Sequence, residues 1–223
     1  NPDFGVVVME NVMVPMRDGV CLATDIYRPA CDGNPLGTPL PVLLARTPYN
    51  KREPEAANRD GRYYACRGYV VAIQDCRGCH ASEGELDFLR QEGNDGYDTM
   101  DWITRQSWCN GKIGTMGTSY MAWCQSALAI LNPPGLAAMW VNEGGANAYT
   151  SSVRHGGCLE LRFICWAFWH AALNSNVQLK QDSGTETMLR NIDVREWLLK
   201  LPLKVGESPL THVPNYERWA LEL

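Results

Sequence analysis

Hydrophobic positions along this chain fall into short runs separated by helical patterns. Val12–Met16 and Val20–Tyr27 are β-rich and flank Arg17-Asp18-Gly19. Asp-Gly between two apolar runs predicts a hairpin. Pro41–Ala45, Tyr69–Gln74, Lys112–Met116 and Leu136–Asn142 are brief apolar stretches, as expected for strands buried on both faces of a sheet. Helical patterns lie between them. One surrounds Ala56–Cys66 and ends at Gly68, a natural C-cap. A second, Asp95–Gln106, is amphipathic, with Met100 and Ile103 three apart. A third, Tyr120–Leu131, is rich in Ala, Leu and Met and stops at Asn132-Pro133-Pro134-Gly135. Strand alternating with helix predicts a parallel α/β sheet with right-handed crossovers.

After Gly144-Gly145 the pattern changes. Aromatic and Leu-rich helical pieces follow, such as Leu159–Leu173 and Thr187–Leu199, with no convincing strand. The expected organisation is an α/β core over residues 1–143 and a mostly helical cap over 144–223.

Composition narrows the function classes. The chain has 223 residues, 45% hydrophobic and 20% charged, with a formal net charge of -5. Charges of both signs are interspersed and no basic run appears, which disfavours nucleic acid as a partner. The longest apolar stretches, Leu136–Val141 and Ile164–Trp169, fall far short of the ~20 residues of a membrane span. Nine cysteines are scattered and odd in number, unlike a small disulfide scaffold. Cys66, Cys124 and Cys165 sit in apolar contexts and read as small core hydrophobes. A cytoplasmic setting is expected, and assembly into a homo-oligomer is compatible with the sequence.

Cys76-Arg77-Gly78-Cys79-His80 matches the C-x-x-C-H string of haem attachment. No export signal accompanies it, and the surroundings are not those of a small helical cytochrome. Zinc through Cys76, Cys79 and His80 lacks a fourth ligand at finger-like spacing. No cofactor and no metal are therefore expected.

The chemistry concentrates in Lys112-Ile113-Gly114-Thr115-Met116-Gly117-Thr118-Ser119-Tyr120-Met121-Ala122. A strand runs into small residues, a Ser and then a helix, which is the pattern of a nucleophile elbow. A Ser on so sharp a turn needs small neighbours, and Gly117 and Ala122 supply them, with Gly114 easing the packing earlier in the strand. The Tyr120 N–H would face an oxyanion at the helix N-terminus. The strict G-x-S-x-G is not met, because Met121 takes the last position. By itself G-x-S also fits a helix N-cap Ser.

Five blocks together carry a wider resemblance. They are Val14–Pro29, Arg46–Lys51, Gln74–Gly78 with Ser82–Glu85, Asp95–Thr99 continuing through Trp102-Ile103 and Trp108–Gly114, and Gly117–Tyr120. In this order and spacing they resemble the cocaine esterase / X-Pro dipeptidyl-peptidase (CocE/NonD) family over about residues 10–143, and Tyr216–Leu221 is similar to the end of that family's cap. The resemblance implies an α/β-hydrolase fold, a mostly parallel sheet with a helical cap, and acyl transfer through Ser119. It also implies that Tyr49, after Thr47-Pro48, donates its phenolic O–H to the oxyanion. Cys76 and Cys79 then fill variable positions of a loop, and Asp75 and Arg77 read as a structural ion pair near the floor of the site.

In that family the orienting acid and the catalytic His follow the cap on later strands of the sheet. Here only His212 follows Ser119 with intervening Asp residues, 182 and 193, and Thr211–Pro214 resembles the end of the cap. The expectation is an N-terminal part of a larger hydrolase, with base and acid outside these residues and an unpaired sheet edge. The substrate stays open among small esters, β-lactams and X-Pro peptides. Glu143 or Glu160 could hold a substrate amine, or be solvated charges, and Phe163–His170 suggests an apolar acyl pocket. The rival reading is a binding module, or an inactive remnant, that keeps the fold without the triad.

Overall fold

A computed structural model describes residues 3–53, 60–145, 147–174 and 183–222. The chain divides into two compact units: Asn1–Gly84 with Leu89–Gly144, and Glu85–Phe88 with Gly145–Leu223.

The first unit is built on a seven-stranded sheet. Strands β1 (Gly5–Pro15), β2 (Cys21–Cys31), β3 (Asn34–Pro35), β4 (Leu40–Thr47), β5 (Val70–Asp75), β6 (Cys109–Thr118) and β7 (Leu136–Asn142) run in the order β1-β2-β5-β4-β6-β7, with β3 beside β2. β1, β3 and β5 pair antiparallel to β2, whereas β5, β4, β6 and β7 run parallel. This is the mixed sheet of an α/β hydrolase. The apolar runs at 41–45, 69–74, 112–116 and 136–142 all fall in parallel strands. β5 is buried at every position, which explains its unbroken hydrophobic run.

Outcomes differ in detail elsewhere. The predicted hairpin forms but is longer and is joined by Met16–Val20, with Gly19 at φ +87° rather than in a two-residue turn. In the stretch around Ala56–Cys66, residues 60–62 form a π-helical turn that runs directly into the short helix α1 (Tyr63–Ala65), and residues 54–59 lie outside the described residues.

Helix α2 (Glu92–Thr104) starts three residues before the sequence pattern suggests. Its first turns contain Gly93 and Gly96, poor helix formers. They are needed for close packing on α3 (Tyr120–Ala129): a Cβ at Gly96 would lie 2.8 Å from Leu128 Cβ, and one at Gly93 3.0 Å from the Ala127 carbonyl oxygen. One core cluster joins Ile26, Leu44, Ala72, Met100, Ile103, Ile113 and Leu128 between the sheet and these helices.

β7 is unlike its neighbours. Among the described residues it has a strand on one side only, and Trp140 is 60% exposed. A groove of about 870 Å³ runs along that part of the sheet, lined by Leu43, Tyr64, Met116, Met121, Met139 and Trp140 among others.

The second unit contains α4 (Ala148–Ser151), α5 (Leu161–Asn174), α6 (Ser183–Arg190), α7 (Val194–Leu198), a 3₁₀ turn (Pro209–His212) and α8 (Pro214–Glu222). The expectation of no strand is corrected here. β8 (Arg154–His155) and β9 (Cys158–Leu159) form a small hairpin. Gly156 and Gly157, both at positive φ, supply the two-residue turn such a hairpin favours. The single helix expected over 187–199 is two, because the Asp193 side chain accepts from the N–H groups of Arg195 and Glu196 and starts a new one. Phe88 stacks on Trp219, with ring centroids 4.3 Å apart, inside an aromatic core that includes Trp166 and Tyr216. No helix among the described residues is long and apolar enough to cross a membrane.

Asp75 and Arg77 do not pair with each other as expected. Asp75 takes the Lys51 ammonium at 2.9 Å, while Arg77 bonds Asp95 at 2.6 Å and Asp18 at 2.8 Å. Asp75 closes β5 whereas Arg77 lies in the turn after it, where the period-2 alternation of a strand no longer holds, so each meets its own partner. Asp95 is only 2% exposed, so Arg77→Met leaves a buried carboxylate short of its main partner. Urea unfolding of this variant is expected to show a loss of ~3 kcal/mol; a loss below ~0.5 kcal/mol would put the pair among inconsequential surface contacts.

Candidate active site

Four parallel strands end side by side. Thr47 of β4 is in register with Asp75 of β5, and Thr118 of β6 with Asn142 of β7. β4 and β6 are joined through Leu44 and Thr115, each three residues before its strand's end. Tyr49 and Ser119 therefore leave the same edge of the sheet from adjacent strands, where open α/β sheets place their ligands.

The turn at Ser119 has the geometry its neighbours predict. Ser119 sits at φ 60°, ψ -121° between β6 and α3, a region that residues with a side chain rarely enter and that stores strain. Its residue is exposed. Its side chain makes no capping hydrogen bond to α3, so the N-cap role does not account for it. Instead the backbone is gripped: the Ser119 N–H donates to the Asn142 carbonyl at 3.0 Å, and the Ser119 carbonyl accepts from Ala122 and Trp123 at 2.9 and 3.2 Å.

Small neighbours are a steric necessity. A Cβ at Gly117 would lie 2.3 Å from Met121 Cβ. Ala122 is fully buried, and a Cβ at Gly144 would come within 2.8 Å of its methyl group. A Cβ at Gly114 would press on Leu43 at 3.0 Å.

Tyr49 is half-buried on a short loop fixed from several sides. Its N–H donates to Thr47 Oγ1 at 3.0 Å, and the Thr47 carbonyl accepts from the Cys76 N–H at 2.9 Å. Two residues on, the Lys51 N–H and Nζ both bond the Asp75 carboxylate, at 2.8 and 2.9 Å, with Lys51 1% exposed. His80 Nε2 lies 3.3 Å from the Pro48 carbonyl oxygen. A donor on such a loop is preorganised.

Tyr120 occupies the first position of α3, where a backbone N–H faces out along the helix axis. Its side chain turns inward, and its phenol donates to Glu92 Oε1 at 2.8 Å. Burial and the Glu92 carboxylate push this phenol's pKa well up.

The thiols of the C-x-x-C-H string are buried rather than presented to a ligand. Cys76 and Cys79 are fully buried, and Cys76 Sγ lies 3.9 Å from Cys124 Sγ. Cys76, Glu92 and Cys124 place their ligand atoms within 4.8 Å of one another. Burial raises the pKa of both thiols, and the Glu92 carboxylate is taken by Arg46 at 2.7 Å and by Tyr120. The cluster is thus two packed thiols beside the Arg46–Glu92 ion pair, whose Arg46 Nη2 is buried without a hydrogen bond.

The remaining candidates scatter. His170 is buried in the second unit, 2.7 Å from the Tyr216 hydroxyl and stacked on Trp166. His155 and Arg162 both meet Glu160, at 3.4 and 2.8 Å, so Glu160 is engaged within its own unit. His212 is exposed on the 3₁₀ turn. Glu143 is exposed just after β7, at φ +55°. Asp182 lies outside the described residues. Sequence reading missed Glu92 and Arg46. The signal was present: a charged Arg46 closing an apolar strand must find a buried partner.

The sequence profile of X-Pro dipeptidyl-peptidase (S15 family) matches residues 18–221. Cocaine esterase from Rhodococcus sp. (strain MB1 Bresler) is 43% identical over 96% of this chain and 38% of its own length. A CocE/NonD family hydrolase from Staphylococcus aureus superposes with a TM-score of 0.63 at 27% identity, over 75% of this chain and 33% of that one. An aminopeptidase from a marine-sediment Thaumarchaeota archaeon superposes with a TM-score of 0.65 over 89% of this chain and 38% of that one; at 22% identity it speaks for the fold alone. The chain spans less than two fifths of the length of each of these proteins.

Backbone strain at Ser119 has a measurable consequence. Glycine enters this region without a steric penalty, so Ser119→Gly is expected to raise stability by ~1 kcal/mol in chemical denaturation. A variant less stable than the parent would mean that the turn is relaxed.

Proposed function

The chain belongs to the X-Pro dipeptidyl-peptidase (S15) family, and on that premise we propose that it carries the nucleophile of a serine hydrolase acting on carboxylic esters or amides. The observation that carries the reading is Ser119: an exposed hydroxyl on a strained turn at the carboxyl edge of the sheet, not used as a helix cap. A structural serine gains nothing from such a position, whereas a nucleophile gains access and a neighbouring amide donor.

In the proposed reaction Ser119 Oγ attacks the carbonyl carbon while a base removes its proton. The oxyanion that forms is met by the Tyr49 O–H and the Tyr120 N–H. Collapse expels the alcohol or amine, which takes the proton back, and leaves an acyl-enzyme on Ser119 that water then hydrolyses. The chemistry needs no metal or organic cofactor.

Base and acid are proposed to come from polypeptide outside these 223 residues. The open edge of β7 and the apolar groove beside it suit further strands and helices, and His80, His155 and His170 are each engaged locally. A small ester, amide or peptide is the proposed substrate class, and a cytoplasmic setting is part of the same reading.

The test is covalent labelling of the full-length protein with a fluorophosphonate. Label is expected on Ser119 and absent from Ser119→Ala. Tyr49→Phe is expected to lower kcat by ~10²-fold or more with little change in KM. Folded protein that takes no label, yet binds a small ligand tightly, would replace this reading with that of a binding module.

A further inference from the structure

The residue next to the nucleophile is anchored to a chain of buried charges, and we propose that Glu92, held by Arg46, is a positioning residue for the oxyanion-binding amide of Tyr120. The inference rests on the hydrolase reading above and assigns a role to residues which that reading leaves unused.

The contacts run without a break from the sheet to the turn. The Tyr120 phenol donates to Glu92 Oε1 at 2.8 Å and accepts from the Leu89 N–H at 3.4 Å. Glu92 Oε2 meets Arg46 Nη1 at 2.7 Å, and the same Nη1 donates to the Glu92 carbonyl oxygen at 2.9 Å. Arg46 Nε donates to Gln74 Oε1 at 2.8 Å, and Gln74 is tied in turn to Thr24 and Thr99, each at 3.0 Å. Glu92 is 1% exposed, Arg46 2% and Gln74 fully buried. The anchor for Tyr120 therefore includes buried residues of β4, β5 and the first turn of α2.

Two arguments make this more than packing. Burying a carboxylate and a guanidinium is costly, and an apolar pair of similar volume would fill the space at no loss of stability. What the charges add is a fixed direction. A Tyr side chain has two torsions, so fixing its hydroxyl from Glu92 and Leu89 fixes the ring, and with it the Cα and amide of the first helical residue. That amide is the proposed oxyanion donor. An oxyanion donor acts through placement to within a few tenths of an ångström of the developing charge. Burial keeps the phenol protonated, since its pKa is pushed well above the ordinary value, so the clamp holds across the working pH range.

The experiment uses the full-length protein with Tyr120→Phe, Glu92→Gln and the double variant, assayed on a carboxylic ester and against a boronic acid. A boronic acid adds to the serine and mimics the tetrahedral oxyanion. Tyr120→Phe is expected to leave KM within about twofold, to lower kcat about tenfold and to weaken the boronic acid by the same factor. The double variant is expected to fall little below the single ones, because both act through one contact. Should Glu92→Gln fail to fold, Tyr120→Phe decides alone. A lower melting temperature with unchanged kcat and boronic acid affinity would overturn the proposal and leave the hydrolase reading intact. Parent protein that neither hydrolyses esters nor binds the boronic acid would overturn both.

Discussion

Everything distinctive in this unit follows from one backbone conformation, the positive φ of Ser119 where β6 meets α3. A chain that turns so sharply brings the start of the helix onto the end of the strand. The space left admits no side chain at Gly117 and only a methyl group at residue 122. Gly144, one turn beyond β7, is small for the same reason. The strain is sustained because the surroundings over-determine the turn: Asn142 grips the Ser119 amide, and α3 continues directly from it. In return the hydroxyl stands clear of the sheet beside the first amide of a helix.

A second layer lies under the strand ends and is made of charge. Lys51 with Asp75, Arg46 with Glu92 and Arg77 with Asp95 are all pairs with little or no exposure. Each joins a residue at the carboxyl end of a strand, or just past it, to another element. Such pairs contribute little net stability, because desolvation offsets attraction. They do penalise any displacement strongly, since a shift strands a charge in a medium that cannot solvate it. The loop of Lys51 also carries Tyr49, and Glu92 accepts from the Tyr120 phenol. Rigidity at the edge of the sheet is thus achieved by contacts that are expensive to distort.

Much of this was legible in the sequence. β4 and β5 announced themselves as short apolar runs, because burial on both faces removes the need for alternation; β7 reads the same way, yet its residues are largely exposed where no further strand or helix covers them among the described residues. The elbow was legible because its steric demand fixes residue types at 117, 119 and 122. What escaped were features set by tertiary partners. The early start of α2 depends on Gly93 and Gly96 meeting α3, which no local propensity encodes. Asp75 and Arg77 read as mutual partners within the loop that the family resemblance marked, yet Asp75 pairs with Lys51 and Arg77 with Asp95 and Asp18. Glu92 falls before the helical pattern read from Asp95 onward, so nothing marked it as the buried partner of Arg46 and Tyr120. The Gly156-Gly157 hairpin was overlooked because two-residue strands carry too few positions for a pattern to show.

The most direct test of the account is the crystal structure of the full-length protein after reaction with a boronic acid. The account predicts a covalent bond at Ser119 Oγ, with the boronate oxygen ~2.7–3.1 Å from both the Tyr49 hydroxyl and the Tyr120 amide nitrogen. A boronate bonded elsewhere, or one on Ser119 whose oxygen faces neither donor, would contradict it.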